Sequence, residues 1–177
     1  MPMAPPISFV GDSQDHVRGP DNAPVTVIAY CDFECPYSGE IYPVIHALVQ
    51  QARDRVRYIF RHFPLLHKHP HAQQAAEAAE AAGAQGWFWE MHDLLFTHQE
   101  ALEETDLFDY ALELRLERAV FEHALRERTY AKRVYRDVAG GRRHGVTGTP
   151  TFFLNERRVA DEEDLADLVR KALAEIH

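Results

Sequence analysis

The run Val25-Thr26-Val27-Ile28-Ala29-Tyr30 is apolar and rich in β-branched residues, which predicts a strand buried on both faces. A strand of that kind needs cover above and below, so the chain must supply helices to both sides of a sheet. The helix signals are there. Pro36 stands where a helix begins, and Ile41, Val44, Ile45, Leu48 and Val49 recur at helical spacing, predicting a helix over about 37–52. Residues 56–63, ended by Pro64, read as a second strand.

The middle of the chain is nearly all helix. Residues 72–82 are rich in Ala, Gln and Glu, the best helix-forming composition. Residues 87–98 form an aromatic amphipathic helix, and residues 107–114 and then 117 to about 138 continue the pattern until Gly140-Gly141 breaks it. Strands return only near the end. Residues 151–154 and 157–159 read as a hairpin about Asn155-Glu156, and a last helix carries Leu165, Leu168, Val169, Leu173 and Ile176 on one stripe. The order is β-α-β, a helical block of roughly 70 residues, then β-β-α, which predicts an α/β sheet domain with a helical insertion.

Charge and cysteine usage narrow the function. Of 177 residues, 28 are acidic and 19 basic, for a net charge of −9. That balance disfavours a nucleic-acid binder or a protein docked on an anionic membrane. Residues 1–6 have no basic region and no apolar stretch, so a secretory signal is not expected and a cytoplasmic protein is. Two cysteines cannot build a disulfide scaffold. In a reducing cytosol, a pair as close as Cys31 and Cys35 is more often reactive or metal-binding than structural. Cys35 falls at a helix N-terminus, where orphan backbone N–H groups and the helix dipole favour a thiolate nucleophile.

The segment Asp32-Phe33-Glu34-Cys35-Pro36-Tyr37 resembles the active-site segment of DsbA-like thiol–disulfide oxidoreductases of the thioredoxin superfamily. The approach through Gly19-Pro20 and Ala23-Pro24-Val25-Thr26 is similar as well, as are Arg61–Leu65, His69–Ala72, Phe88–Phe96 and Gly145–Phe153. The resemblance covers the chain from about residue 16. It implies a thioredoxin fold with a helical insertion between its β-α-β and β-β-α halves: an arm at 1–22, the thioredoxin-fold domain at 23–66 and 145–177, and the inserted helices at 67–144. It further implies a cis Thr149–Pro150 peptide facing Cys35, able to pair with a substrate strand, with Pro36 and Tyr37 beside it. The implied partners are protein or peptide thiols and disulfides, or glutathione as co-substrate, and no bound cofactor.

Three departures cluster around Cys35. The family's second thiol is replaced by Ser38, giving Cys-Pro-Tyr-Ser; a buried acid six residues before Cys35 is replaced by Ala29; and Cys31 stands where relatives often have a small residue. A serine cannot resolve a mixed disulfide. The catalytic set is therefore Cys35 as nucleophile, with Ser38 in the vacated position and either Cys31 or an external thiol such as glutathione as resolver. Fully extended, residues 31 and 35 would lie roughly 13 Å apart. A disulfide needs about 4.4–6.8 Å between Cα atoms, so the link must bend sharply. The competing readings are a redox-inactive peptide-binding adaptor that kept the fold and a glutathione-dependent transferase or isomerase.

The histidines are numerous, 11 in all, and His62, His67, His69 and His71 crowd one segment. No thiolate or carboxylate set completes a tetrahedral metal site there, so no metal is expected, although one imidazole could stand near Cys35. Glu34, adjacent to Cys35, is expected to point into solvent.

Overall fold

The sheet is assembled around the strand the sequence marks as most apolar. In the computed structural model, which describes residues 14–52 and 54–176, β1 (His16–Arg18), β2 (Val25–Cys31), β3 (Val56–His62), β4 (Thr151–Leu154) and β5 (Arg157–Arg158) form one sheet in the order β1-β3-β2-β4-β5. Strand β2 runs parallel to β3 and antiparallel to β4, and β1 closes the far edge antiparallel to β3. Residues 1–13 of the expected arm lie outside the described residues.

Alternation along β2 divides the core in two. Val27, Ala29 and Cys31 face helices α1 (Pro36–Gln51), α3 (Phe88–Thr97) and α7 (Leu165–Ala174), packing with Ile45, Val49, Leu95 and Val169. Ile28 and Tyr30 face the other way, onto Phe63, Val146, Phe153 and Val138 of α6 (Ala131–Arg143). Between β3 and β4 the chain also forms α2 (Ala72–Gly83), α4 (Glu104–Glu113) and α5 (Arg118–Arg126). The small alanine faces of α2 are buried, which lets neighbouring helices approach closely.

The helical block departs from its sequence pattern in three places. Helix α4 starts three residues early, because the Asp106 carboxylate accepts a hydrogen bond from the Glu103 N–H at 2.9 Å. The single helix expected over 117–138 is two. Arg128 adopts φ 52°, Thr129 N–H reaches back to Ala124 O, and the Arg128 guanidinium turns to Glu77 of α2 at 2.7 Å. Gly140-Gly141 does not break the following helix, which runs to Arg143. A Cβ on Gly141 would lie 2.9 Å from the Tyr30 ring and 3.0 Å from the Phe63 ring, so glycine here serves close packing of α6 on the sheet. At the hairpin, Asn155 and Glu156 both have positive φ, 43° and 72°, which suits the twist of a two-residue turn.

Candidate active site

The turn from β2 into α1 carries the reactive segment. Cys35 is the N-cap of α1, with extended backbone, and Pro36 opens the first turn. The Cys35 N–H bonds Asp32 O at 3.1 Å, folding the link between Cys31 and Cys35 back on itself. The Cys35 thiol is buried and donates to Thr149 O at 3.3 Å. The Thr149–Pro150 peptide is cis.

The predicted site residues divide between two spaces. Tyr37, Thr149 and Pro150 line an open groove of about 750 Å³, with Ile41 and Val44 of α1 on one wall and Val159 on the other. Tyr37 is exposed at its rim, Pro36 is exposed but does not line it, and Cys35 reaches it through Thr149. Cys31 and Ser38 lie behind Cys35, both buried, lining a small internal cavity. Burial raises the Cys31 pKa well above the ordinary thiol range; the Ser38 hydroxyl, hydrogen-bonded to it, opposes that and the neighbouring Cys35 adds to it. Both cysteines are free thiols.

Carboxylates brace the segment. Asp32, fully enclosed, accepts from the Glu34 N–H at 2.8 Å and the Leu65 N–H at 2.8 Å, and lies 2.7 Å from His69 Nδ1. Glu34 does not point into solvent. It accepts from the His71 N–H at 2.7 Å and lies 2.9 Å from His71 Nδ1, because the loop after β3 folds back over the motif. The crowded histidines are therefore dispersed: His69 and His71 hold these acids, while His62 Nε2 joins Glu80 at 2.8 Å. His16 Nε2 meets the same Glu80 oxygen at 2.8 Å. Burial works to raise the Glu80 pKa, but the bonds from His16 and His62 outweigh it and hold it well below the carboxylate range. His16, His62 and Glu80 have ligand atoms within 4.8 Å of one another, yet the Arg133 guanidinium stands 3.7 Å from the shared oxygen, which suits a hydrogen-bonded triad better than a cation.

Sequence reasoning missed Gln99. Its side-chain N–H group donates to Phe33 O at 2.8 Å and Cys35 O at 2.9 Å, pinning the motif from the turn after α3. Only the fold brings it there, across 64 residues of chain from Cys35.

A β-α-β unit and a β-β-α unit joined by helices, with a cysteine at the first helix N-terminus opposite a cis-proline loop, define a thioredoxin fold of DsbA-like type. The profile of the family described as Thioredoxin matches residues 12–173, and the chain belongs to that family. Among solved structures, a thioredoxin-like oxidoreductase from Silicibacter pomeroyi is 24% identical, with a TM-score of 0.79 and 92% of each chain covered. BdbD from Bacillus subtilis is 23% identical, with a TM-score of 0.76 and coverage of 91% of this chain and 92% of that one. At these identities the likeness establishes the fold. Sequence relatives are nearer. The Na(+)/H(+) antiporter NhaA 1 of Salinispora arenicola is 52% identical over 149 residues, covering 84% of this chain and 23% of that protein. The NhaA antiporter of Herminiimonas arsenicoxydans is 41% identical over 150 residues, covering 85% and 24%. The chain thus spans about a quarter of the length of these curated relatives. Among the described residues no helix is long and apolar enough to cross a membrane.

Proposed function

We propose that the protein is a thiol–disulfide oxidoreductase with Cys35 as nucleophile and Cys31 as a displaced resolving thiol. The observation that carries this reading is the placement of Cys35 Sγ, 3.3 Å from the Thr149 carbonyl at the edge of the groove. An extended substrate segment pairs with the Thr149 backbone, and its disulfide meets Cys35. The Cys35 thiol gives up its proton to solvent and its sulfur attacks one substrate sulfur, forming a mixed disulfide, while the other substrate sulfur leaves as a thiolate and is protonated from solvent. Cys31 then attacks Cys35, the bond to the substrate breaks, and the second substrate thiol is released. In a reducing compartment such as the cytosol, two equivalents of an external thiol, glutathione being the candidate, restore both cysteines. The Cys35 N–H···Asp32 O bond bends the link between the two cysteines, which supports this pairing.

The test is intact-mass analysis with alkylation after equilibration in glutathione redox buffers. A species with both thiols protected and no adduct supports the Cys31 route. One glutathione on Cys35 with Cys31 free replaces that route by a monothiol mechanism. If neither cysteine reacts in the folded protein, the oxidoreductase reading falls to that of a peptide-binding adaptor.

The relatives named as antiporters favour one class of partner. We infer that the substrate thiols belong to a membrane ion transporter. Trapping mixed disulfides with a Cys31→Ser variant in membranes from the source cells should capture a polytopic protein; capture of soluble proteins alone would rule this partner out.

A further inference from the structure

The internal cavity behind Cys35 holds about 10 Å³, room for about one water, and is lined by Cys31, Ser38, Tyr42, His46, Tyr58 and His92. His92 is almost wholly enclosed, packed edge-on against Phe60 and Phe96. Its Nδ1 lies 2.8 Å from Asp93 Oδ1, and Asp93 is in turn held by the Arg18 guanidinium at 2.9 Å. An ionised carboxylate only accepts hydrogen bonds, so Nδ1 carries the ring proton and Nε2 is left as a bare lone pair. Among the described residues that Nε2 is buried with no hydrogen-bond partner. Ser38, Tyr42 and Tyr58 share the cavity and carry hydroxyl protons, but Cys31 is the group lining it that the proposed resolution step requires to lose a proton.

We propose that His92 is the proton acceptor for Cys31, with Asp93 positioning it, so that a buried Asp–His pair on α3 activates the resolving thiol in a chain whose β2 carries Ala29 in place of an acid. The proposal rests on Cys31 being the resolver. During resolution the Cys31 sulfur bonds to Cys35 and the Cys35–substrate bond breaks. The substrate sulfur departs with the electron pair and takes a proton from solvent. The Cys31 proton passes to His92 Nε2, through the Ser38 hydroxyl or one water in the cavity, and then to solvent. Burial keeps Cys31 protonated and holds His92 neutral, its pKa pushed down to about 4 against the opposing pull of Asp93, so both groups are uncharged before the step; the same burial weakens His92 as a base, and the proton therefore moves in concert with the attack of the Cys31 sulfur. The other groups around His92 are Arg18 of β1, Tyr58 and His62 of β3, and Tyr42 and His46 of α1. Arg18 and His62 disfavour its charged form.

The experiment is single-turnover reaction with a chromogenic aromatic disulfide. Attack by Cys35 releases one coloured thiol, and attack by Cys31 releases the second. In the wild type the second release should be independent of pH where His92 is neutral. In His92→Gln it should slow by at least about 100-fold near neutrality and then climb about tenfold per pH unit, while the first release is unchanged. Asp93→Asn, which leaves the imidazole but presents Nδ1 with an amide donor, should slow the same step and guards against a packing defect at position 92. If His92→Gln and Asp93→Asn both match the wild type in rate and pH profile, while Cys31→Ser abolishes the second release, the relay is wrong and Cys31 stands as resolver. If Cys31→Ser releases the second thiol as fast as the wild type, the resolver assignment itself is wrong. His46→Gln provides the rival: loss of the second release there, with His92→Gln unaffected, would move the base to α1.

Discussion

Replacing Asp32 by alanine should cost about 2–5 kcal/mol of stability and loosen the loop that carries Cys35. The magnitude follows from the three donors the carboxylate serves. The Leu65 N–H is buried, so leaving it unpaired costs about 1–3 kcal/mol. The Glu34 N–H is partly buried and loses a charge-assisted bond, for about 1 kcal/mol more. His69 is 15% exposed along its side chain and can regain water, so its 2.7 Å contact contributes about 1 kcal/mol or less. The sum is a large fraction of the roughly 5–15 kcal/mol that holds a domain folded. Urea unfolding followed by tryptophan fluorescence reads it directly, through the midpoint at unchanged slope. Asp32→Asn keeps the shape and one acceptor oxygen, so it should lose less, about 2 kcal/mol. If Asp32→Ala unfolds within about 1 kcal/mol of the wild type, these bonds do not brace the active segment and the reasoning fails.

Gly141→Ala should destabilise by about 1–3 kcal/mol in the same assay, because its Cβ would press on the Tyr30 and Phe63 rings at 2.9 and 3.0 Å; a neutral result would mean α6 can shift off the sheet at no cost. Ser38→Cys should restore a two-thiol motif in the buried slot behind Cys35, so that Ser38→Cys combined with Cys31→Ser releases the second chromophore that Cys31→Ser alone retains. Stability should fall on acidification in two stages. The folded state depresses the His92 pKa to about 4, so the unfolded chain takes up that proton first, and stability is lost as pH drops from about 6.5 toward 4, by at most about 3 kcal/mol. The Glu80 contribution, from a carboxyl held below its unfolded value, is present above about pH 4.3 and is lost below it. Unfolding free energy that stays level between about pH 6.5 and 4, or the same fall in His92→Gln, would contradict the assignment to His92.

What could be read in the sequence was local and periodic. The apolar run of β2, the proline opening α1 and the spacing along α7 each act within a few residues, and the quoted motif segments marked the thioredoxin frame. The break at Arg128 was hidden because a left-handed arginine carries no compositional sign. It is stabilised by a partner, Glu77, that lies 51 residues away. Gly140-Gly141 misled for the opposite reason: glycine normally marks a helix end, but here the requirement for it comes from two rings on the sheet. Glu34 was misplaced because its partner His71 becomes a neighbour only once the loop after β3 has folded over the motif.

The same limit explains why the chemistry of Cys31 was only half legible. Its spacing from Cys35 suggested a resolver, and the loss of Ala29's acid and Ser38's thiol together pointed to a rewired site. A buried thiol with a raised pKa makes a poor nucleophile on its own, so that reading lacked a base. His92 lies within one of the segments that carry the family resemblance, where nothing in the sequence distinguishes a packing residue from a reactive one. The distinction comes from Asp93, which accepts a hydrogen bond from the Nδ1–H and so leaves Nε2 bare in the cavity that Cys31 also lines. A thiol displaced from its motif position is useful only if proton removal is displaced with it. On this proposal the base sits on α3 and the thiol on the sheet, so the helical block and the thioredoxin frame each contribute half of the resolving step.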